Sequence, residues 1–178
     1  MLKIIDLDLE DLVFIDETGI NIHIARNYGY SPVGQRVFDS KPGEFTRNYT
    51  VLGALNHCGV GALMVVEGGT SVEVWRAFVE QVLLPTLRPG QILILDNLAA
   101  HKNEAVKEIL AQSSIEVVHT PPYSPEWNAI ELVWSKIKTY LRSRAERSLE
   151  ALQQALVDAA DLVTPQEAIN CIRACGYV

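Results

Sequence analysis

Three carboxylates stand out because each sits where an acid is conspicuous. Asp16 closes the apolar run "LVFID", Asp96 closes "LILD", and Glu131 interrupts the apolar stripe of "NAIELVWSKIK". Oxygen-only ligands of this kind suit a hard divalent cation, and an acid on a packing face is costly unless it is paired or ligates a metal. The ordinary alternatives stand beside this: Glu131 as a boundary residue paired with Lys136 or Lys138, and each aspartate as a turn cap after a strand. Three such acids together favour the metal site. Glu17, next to Asp16, points to the other sheet face if the strand continues, which leaves Asp16 as the ligand.

The elements that must position these acids can be read along the chain. "DLVFIDETG" has the pattern of a buried strand with Gly19 as its breaker, and "NIHIARNYGYSP", "RNYTVLGALNHCG" and "GALMVVEGG" read as a meander of antiparallel strands. "TSVEVWRAFVEQVLLPTL" changes to a helical period, with Val74, Phe78, Val82 and Leu83 on one face and Thr70 or Ser71 as N-cap. "GQILILDN" is a strand covered on both faces, "NEAVKEILAQSS" a short helix, and "IEVVHTPP" another strand. Long helices follow from about Ser124, which has the form of an N-cap followed by Pro125 and Glu126. On that helix Ile130, Val133, Trp134, Ile137 and Leu141 form a core-facing stripe, with Glu131 about 100° round from Ile130. The order predicts an α/β layered domain with a mixed sheet, and ligands in such sheets gather beyond the strands' carboxyl ends.

Composition narrows the classes. A chain of 178 residues, 48% hydrophobic, fits one domain spanning 1–178. The acidic start lacks the pattern of a signal peptide, and no apolar run reaches the ~18 residues of a membrane span, so a cytoplasmic protein without membrane contact is expected. Cys58, Cys171 and Cys175 signal neither a disulfide framework nor a zinc cluster. A net charge of -7 argues against a simple electrostatic nucleic-acid binder, but not against one that relies on cations. Against that background Lys136, Lys138, Arg142, Arg144 and Arg147 face only Glu146, a local +4.

The blocks "IDETG", "LDNLAAHK" and "PPYSPEWNAIELVWSKIK", with 34 residues between Asp96 and Glu131, resemble the catalytic domain of mariner-like insertion-sequence transposases of the Asp-Asp-Glu superfamily. The resemblance runs from about Asp11 to Arg142. It implies a ribonuclease H-like fold, a central mixed five-stranded sheet flanked by helices, with the first and fourth strands adjacent. It implies that Asp16, Asp96 and Glu131 bind two Mg²⁺ or Mn²⁺ ions, and that the domain cuts DNA at element ends and joins it to a target. Asn97, His101 and Asn128 are expected in support of the site. Lys102, Lys136, Lys138, Arg142 and Arg144 are expected to touch DNA phosphates, with a helix cap and solvated faces as the plain alternatives. Tyr123 and Trp127 fit packing and base stacking equally. Complete members carry N-terminal helix-turn-helix domains, so a partner reading frame supplying that part, a homodimer, and a nucleoid-associated state on DNA are expected. The competing reading is a catalytically silent remnant that acts through protein association alone.

Overall fold

The computed structural model describes residues 8–26, 28–38, 47–96 and 103–177. Five strands, β1 (Leu12–Asn21), β2 (Asn48–Asn56), β3 (Gly59–Glu67), β4 (Ile92–Leu95) and β5 (Glu116–His119), form one sheet in the order β3-β2-β1-β4-β5. The β3-β2-β1 part is antiparallel, whereas β4 pairs parallel to β1 and β5 parallel to β4. The sheet is therefore mixed, with the first and fourth strands in contact.

Side-chain alternation along β1 divides the core. Leu12, Phe14 and Ile20 face α3 (Ile130–Arg144), α4 (Leu149–Asp161) and α5 (Pro165–Ala174), while Val13 and Ile15 face α1 (Val72–Phe78) and α2 (Glu104–Gln112). The helices start where their caps dictate. Ser71, Asn103 and Ser148 each accept a backbone N–H three residues on, and Thr164 and Glu167 close a capping box with Pro165 at the first helical position. Past α1 the helical path continues through one π-helical turn at Val79–Leu83.

Three sequence expectations need correction. Gly19 does not break β1: it pairs with Thr50, and the antiparallel ladder carries the strand on to Asn21↔Asn48. There the Asn21 side chain accepts the His23 N–H at 3.1 Å and turns the chain. The stretch "NIHIARNYGYSP" contributes no strand among its described residues beyond Asn21. It is held from outside the sheet: Arg147 donates to Ile22 O and Ile24 O at 3.0 and 3.2 Å, and its own Arg26 donates to Ser143 O at 3.4 Å. Finally, Ser124 stands at the N-cap of a short turn only, without a side-chain cap bond, and does not start the long helix. Pro125–Trp127 is a single 3₁₀ turn, Asn128 returns to extended backbone, and α3 begins only at Ile130 with no side-chain cap.

Candidate carboxylate site

The register of the parallel pair brings the two aspartates together. Phe14 pairs with Ile94, and Asp16 and Asp96 each lie two residues further along adjacent strands, on the same face. Adjacent strands are ~4.8 Å apart, which fixes the scale of their separation. β5 extends the platform, since Thr120 N donates to Leu95 O at 2.9 Å and His119 Nδ1 donates to Asp96 O at 2.8 Å. Glu131 arrives from the first turn of α3, whose preceding residues are tied to β1: Asn128 Nδ2 donates to Ile15 O at 2.9 Å, and Glu131 N donates to Asn128 O at 3.1 Å. Asp16, Asp96, Glu131 and Asn128 line one cleft of about 450 Å³ with Thr120 and the Pro121–Pro125 turn. Glu131 at the start of α3 also benefits from the positive end of the helix dipole.

Burial falls on a different acid from the one the sequence pattern suggests. Glu131 is exposed, so its position on the helix costs little, whereas Asp16 is largely withdrawn from water. Burial, the nearby Glu131 charge and, more weakly, Asp96 push the Asp16 carboxyl up to about 7. The Glu17 backbone N–H and the Trp134 indole N–H oppose that rise, the latter donating to Asp16 Oδ2 at 3.0 Å. Lys136 does not pair with Glu131; it is held by Glu167 at 2.7 and 2.8 Å and by Leu162 O at 2.7 Å. Glu17 points to the opposite face, where the Thr70 hydroxyl donates to it.

The indole reaches Asp16 because Gly53 makes room. Gly53 pairs with Asp16 across β1 and β2, and a Cβ built there would lie 2.5 Å from Trp134 Cη2. Gly53, Trp134 and His119 thus hold the aspartates in place, and sequence reading missed two of them, taking Trp134 only as core. Period-two parity with Val51 and Leu55 is the signal that puts Gly53 on this face. Asn128 is 4% exposed and its Oδ1 has no hydrogen-bond partner among the described residues, an acceptor buried beside the carboxylates. Asn97, His101 and Lys102 lie outside the described residues. Lys136, Lys138, Arg142 and Arg144 do not line the cleft, and Arg144 is paired with Glu146 at 3.1 Å.

Three carboxylates and an orphaned amide oxygen make a donor set for a hard cation, and the raised Asp16 carboxyl reflects burial first and then the nearby Glu131 charge, both of which such a cation would offset. Among the described residues no three His, Cys, Asp or Glu side chains are drawn together closely enough to hold a metal ion, so the ligands would have to close around it.

Comparison with known families decides the membership. Residues 11–153 match the family of DDE superfamily endonucleases. The chain belongs to that family. Among solved structures, this DDE-family chain is similar to the Mos1 pre-cleavage transpososome, at a TM-score of 0.71 and 18% identity over 96% of this chain and 57% of the other. It is also similar to the Mos1 mariner paired-end complex with Mn, at 0.68 and 18% over 95% and 56%, and to the catalytic domain of Mos1 mariner transposase, at 0.55 and 16% over 96% and 84%. The fold is thus ribonuclease H-like, and the chain spans just over half the length of the full transposase chains it matches. Among curated proteins none matches. Among the described residues no helix is long and apolar enough to cross a membrane.

Proposed function

We propose that this domain is the catalytic core of a DNA transposase, a divalent-metal-dependent endonuclease and strand transferase. The observation that carries the proposal is the convergence of Asp16, Asp96 and Glu131, from two strands and a helix start, on one cleft in which the Asp16 charge is poorly compensated. Two Mg²⁺ or Mn²⁺ ions held by these three residues would supply charge stabilisation to the attacking and leaving oxygens of an in-line phosphodiester displacement. The chain's own residues hold the geometry. The Trp134 indole and the Glu17 backbone N–H hold the Asp16 carboxylate at the wall of the cleft. His119 and the β5 edge fix the Asp96 backbone, and Asn128 ties the start of α3 to β1, so Glu131 keeps its height above the aspartates. Exposed at the mouth, Glu131 has the freedom to close on a ligand. Of the basic residues on α3, Lys136 and Arg144 are committed to Glu167 and Glu146, which leaves Lys138 and Arg142 for DNA phosphates.

Nicking of supercoiled plasmid tests the activity, with Mn²⁺ or EDTA and with Asp96→Asn and Glu131→Gln beside the native chain. Mn²⁺-dependent nicking that both variants lose is expected. Mn²⁺ should also raise the thermal stability of the native chain, by about 2.7 kcal/mol at ~100 times its Kd, and the variants should lose the rise. Nicking that persists in Asp96→Asn would end the proposal.

A further inference from the structure

A side chain from far along the chain ties the two sides of the carboxylate cleft together. Past α5, Gly176 takes φ 89, its N–H donates to Arg173 O at 2.9 Å, and the Tyr177 N–H donates to Ile172 O at 3.4 Å. This pair of bonds is the Schellman ending that a glycine after the C-cap Cys175 allows. It turns Tyr177 into the core that holds Ile172, where it is 3% exposed. The Tyr177 ring meets the Phe14 ring edge-on at 5.0 Å and the Trp127 ring edge-on at 6.5 Å, and its hydroxyl donates to Trp127 O at 2.8 Å. Burial, and to a smaller degree Cys175, pushes the phenol up to about 12, so it remains a donor.

These contacts reach both sides of the cleft. Phe14 lies two residues before Asp16 on β1 and on the same sheet face. Trp127 ends the turn that leads to Glu131: Asn128 follows it, and Glu131 N donates to Asn128 O at 3.1 Å. The turn's own backbone bonds, Trp127 N to Ser124 O and Asn128 N to Pro125 O, are local and do not attach it to the sheet. Asn128 joins it to Ile15 O, and a single bond of that kind leaves a turn able to pivot. Tyr177 supplies a second anchor on the neighbouring residue. We infer that Tyr177 is a positioning residue that sets where Glu131 stands relative to Asp16, acting through the Trp127 carbonyl and the Phe14 ring. Functional side chains have to be held within about 0.5 Å of their working geometry, and two anchors on adjacent residues give that stiffness where one does not. Tyr177 lies outside the family-matched residues. Its effect on cutting rests on the nuclease function proposed for the cleft, whereas its hold on Glu131 does not.

The test compares the purified native chain with Tyr177→Phe, Tyr177→Leu and Ile115→Val, a control in the buried core on the opposite sheet face. Hydrogen exchange is read at the Asn128 and Glu131 amides in low urea, which separates local opening from global unfolding. Both amides should exchange about fivefold faster in Tyr177→Phe, the effect of one lost hydrogen bond, and faster still in Tyr177→Leu, which also gives up the ring contacts. Ile115→Val lowers global stability without quickening that local exchange. Mn²⁺ should bind roughly tenfold more weakly to Tyr177→Leu, the effect of losing an outer partner of a metal site. In cutting, kcat at limiting Mn²⁺ should fall with the KM for DNA unchanged, and excess Mn²⁺ should restore it. Exchange no faster in the Tyr177 variants than in Ile115→Val would overturn the positioning role. So would an unchanged Mn²⁺ Kd in Tyr177→Leu when the native chain binds Mn²⁺. Faster exchange in a chain whose native form neither binds Mn²⁺ nor cuts would leave the positioning standing and remove the nuclease reading. Mn²⁺-dependent cutting with unchanged exchange would do the reverse.

Discussion

The two faces of the sheet treat neighbouring acids of one strand differently. On the α1–α2 face Glu17 accepts a hydrogen bond from Thr70, at the loop that leads into the Ser71 cap. On the α3 face Asp16 sits under the Trp134 indole, close to two other carboxylates, with its carboxyl raised to about 7. The first acid ties a loop to the sheet. The second is kept ionisable only at a cost, and nothing in the fold itself requires it. Residues that serve packing relieve their electrostatic stress locally, whereas a residue kept under stress points outward to a ligand.

The largest test of this contrast is activity. Asp16→Asn should lower metal-dependent cutting on the order of a thousandfold, whereas Glu17→Gln should leave it nearly unchanged, as measured by initial nicking rates. Equal losses would show that the two faces do not differ as argued.

Stability in EDTA sharpens the same point. The Asp16 carboxyl is raised from 3.8 to about 7, so between those values the folded state holds a proton that the unfolded chain has released. The contribution of Asp16 to stability therefore falls as pH rises through that window and is least favourable above pH 7. Asn does not titrate, so Asp16→Asn should exceed the native chain by up to about 4 kcal/mol above pH 7 and match it below about pH 4. Saturating Mn²⁺ should erase the advantage. Urea unfolding at several pH values reads all three.

Smaller effects separate the residues that hold Asp16. Gly53→Ala drives a methyl group into the buried indole and should cost about 3 kcal/mol, whereas Gly69→Ala, with open space around it, should cost little. Trp134→Phe keeps most of the ring but leaves Asp16 without its side-chain donor; about 2 kcal/mol is expected, with the Asp16 carboxyl shifted further upward by carboxyl ¹³C titration. Tyr177→Phe removes only the hydrogen bond to Trp127 O and should cost about 1 kcal/mol.

Much of this was legible in the chain because it is local. Strand β4 announces itself as an unbroken apolar run, and all four of its residues are buried. The stripe Ile130, Val133, Trp134, Ile137 and Leu141 is wholly buried, as its helical period requires. The misreadings came where tertiary contacts overrule local signals. Gly19 and Ser124 carry the chemistry of a breaker and a cap, yet the ladder with β2 extends the first past its signal, and the bond from Asn128 to Ile15 accompanies a later helix start.

For the site, the sequence by itself determined which residue types are available and their spacing: Asp16 and Asp96 at the ends of apolar runs, and Glu131 on the helix that follows the Pro-rich turn. Only the tertiary structure decided that β1 and β4 are neighbours in matching register, that Asp16 rather than Glu131 bears the burial, and that Gly53 gives Trp134 its way to the carboxylate. The reason is physical. Backbone propensity and apolar period act over a few residues, whereas desolvation and charge repulsion depend on which distant segments the sheet brings within a few ångströms of each other.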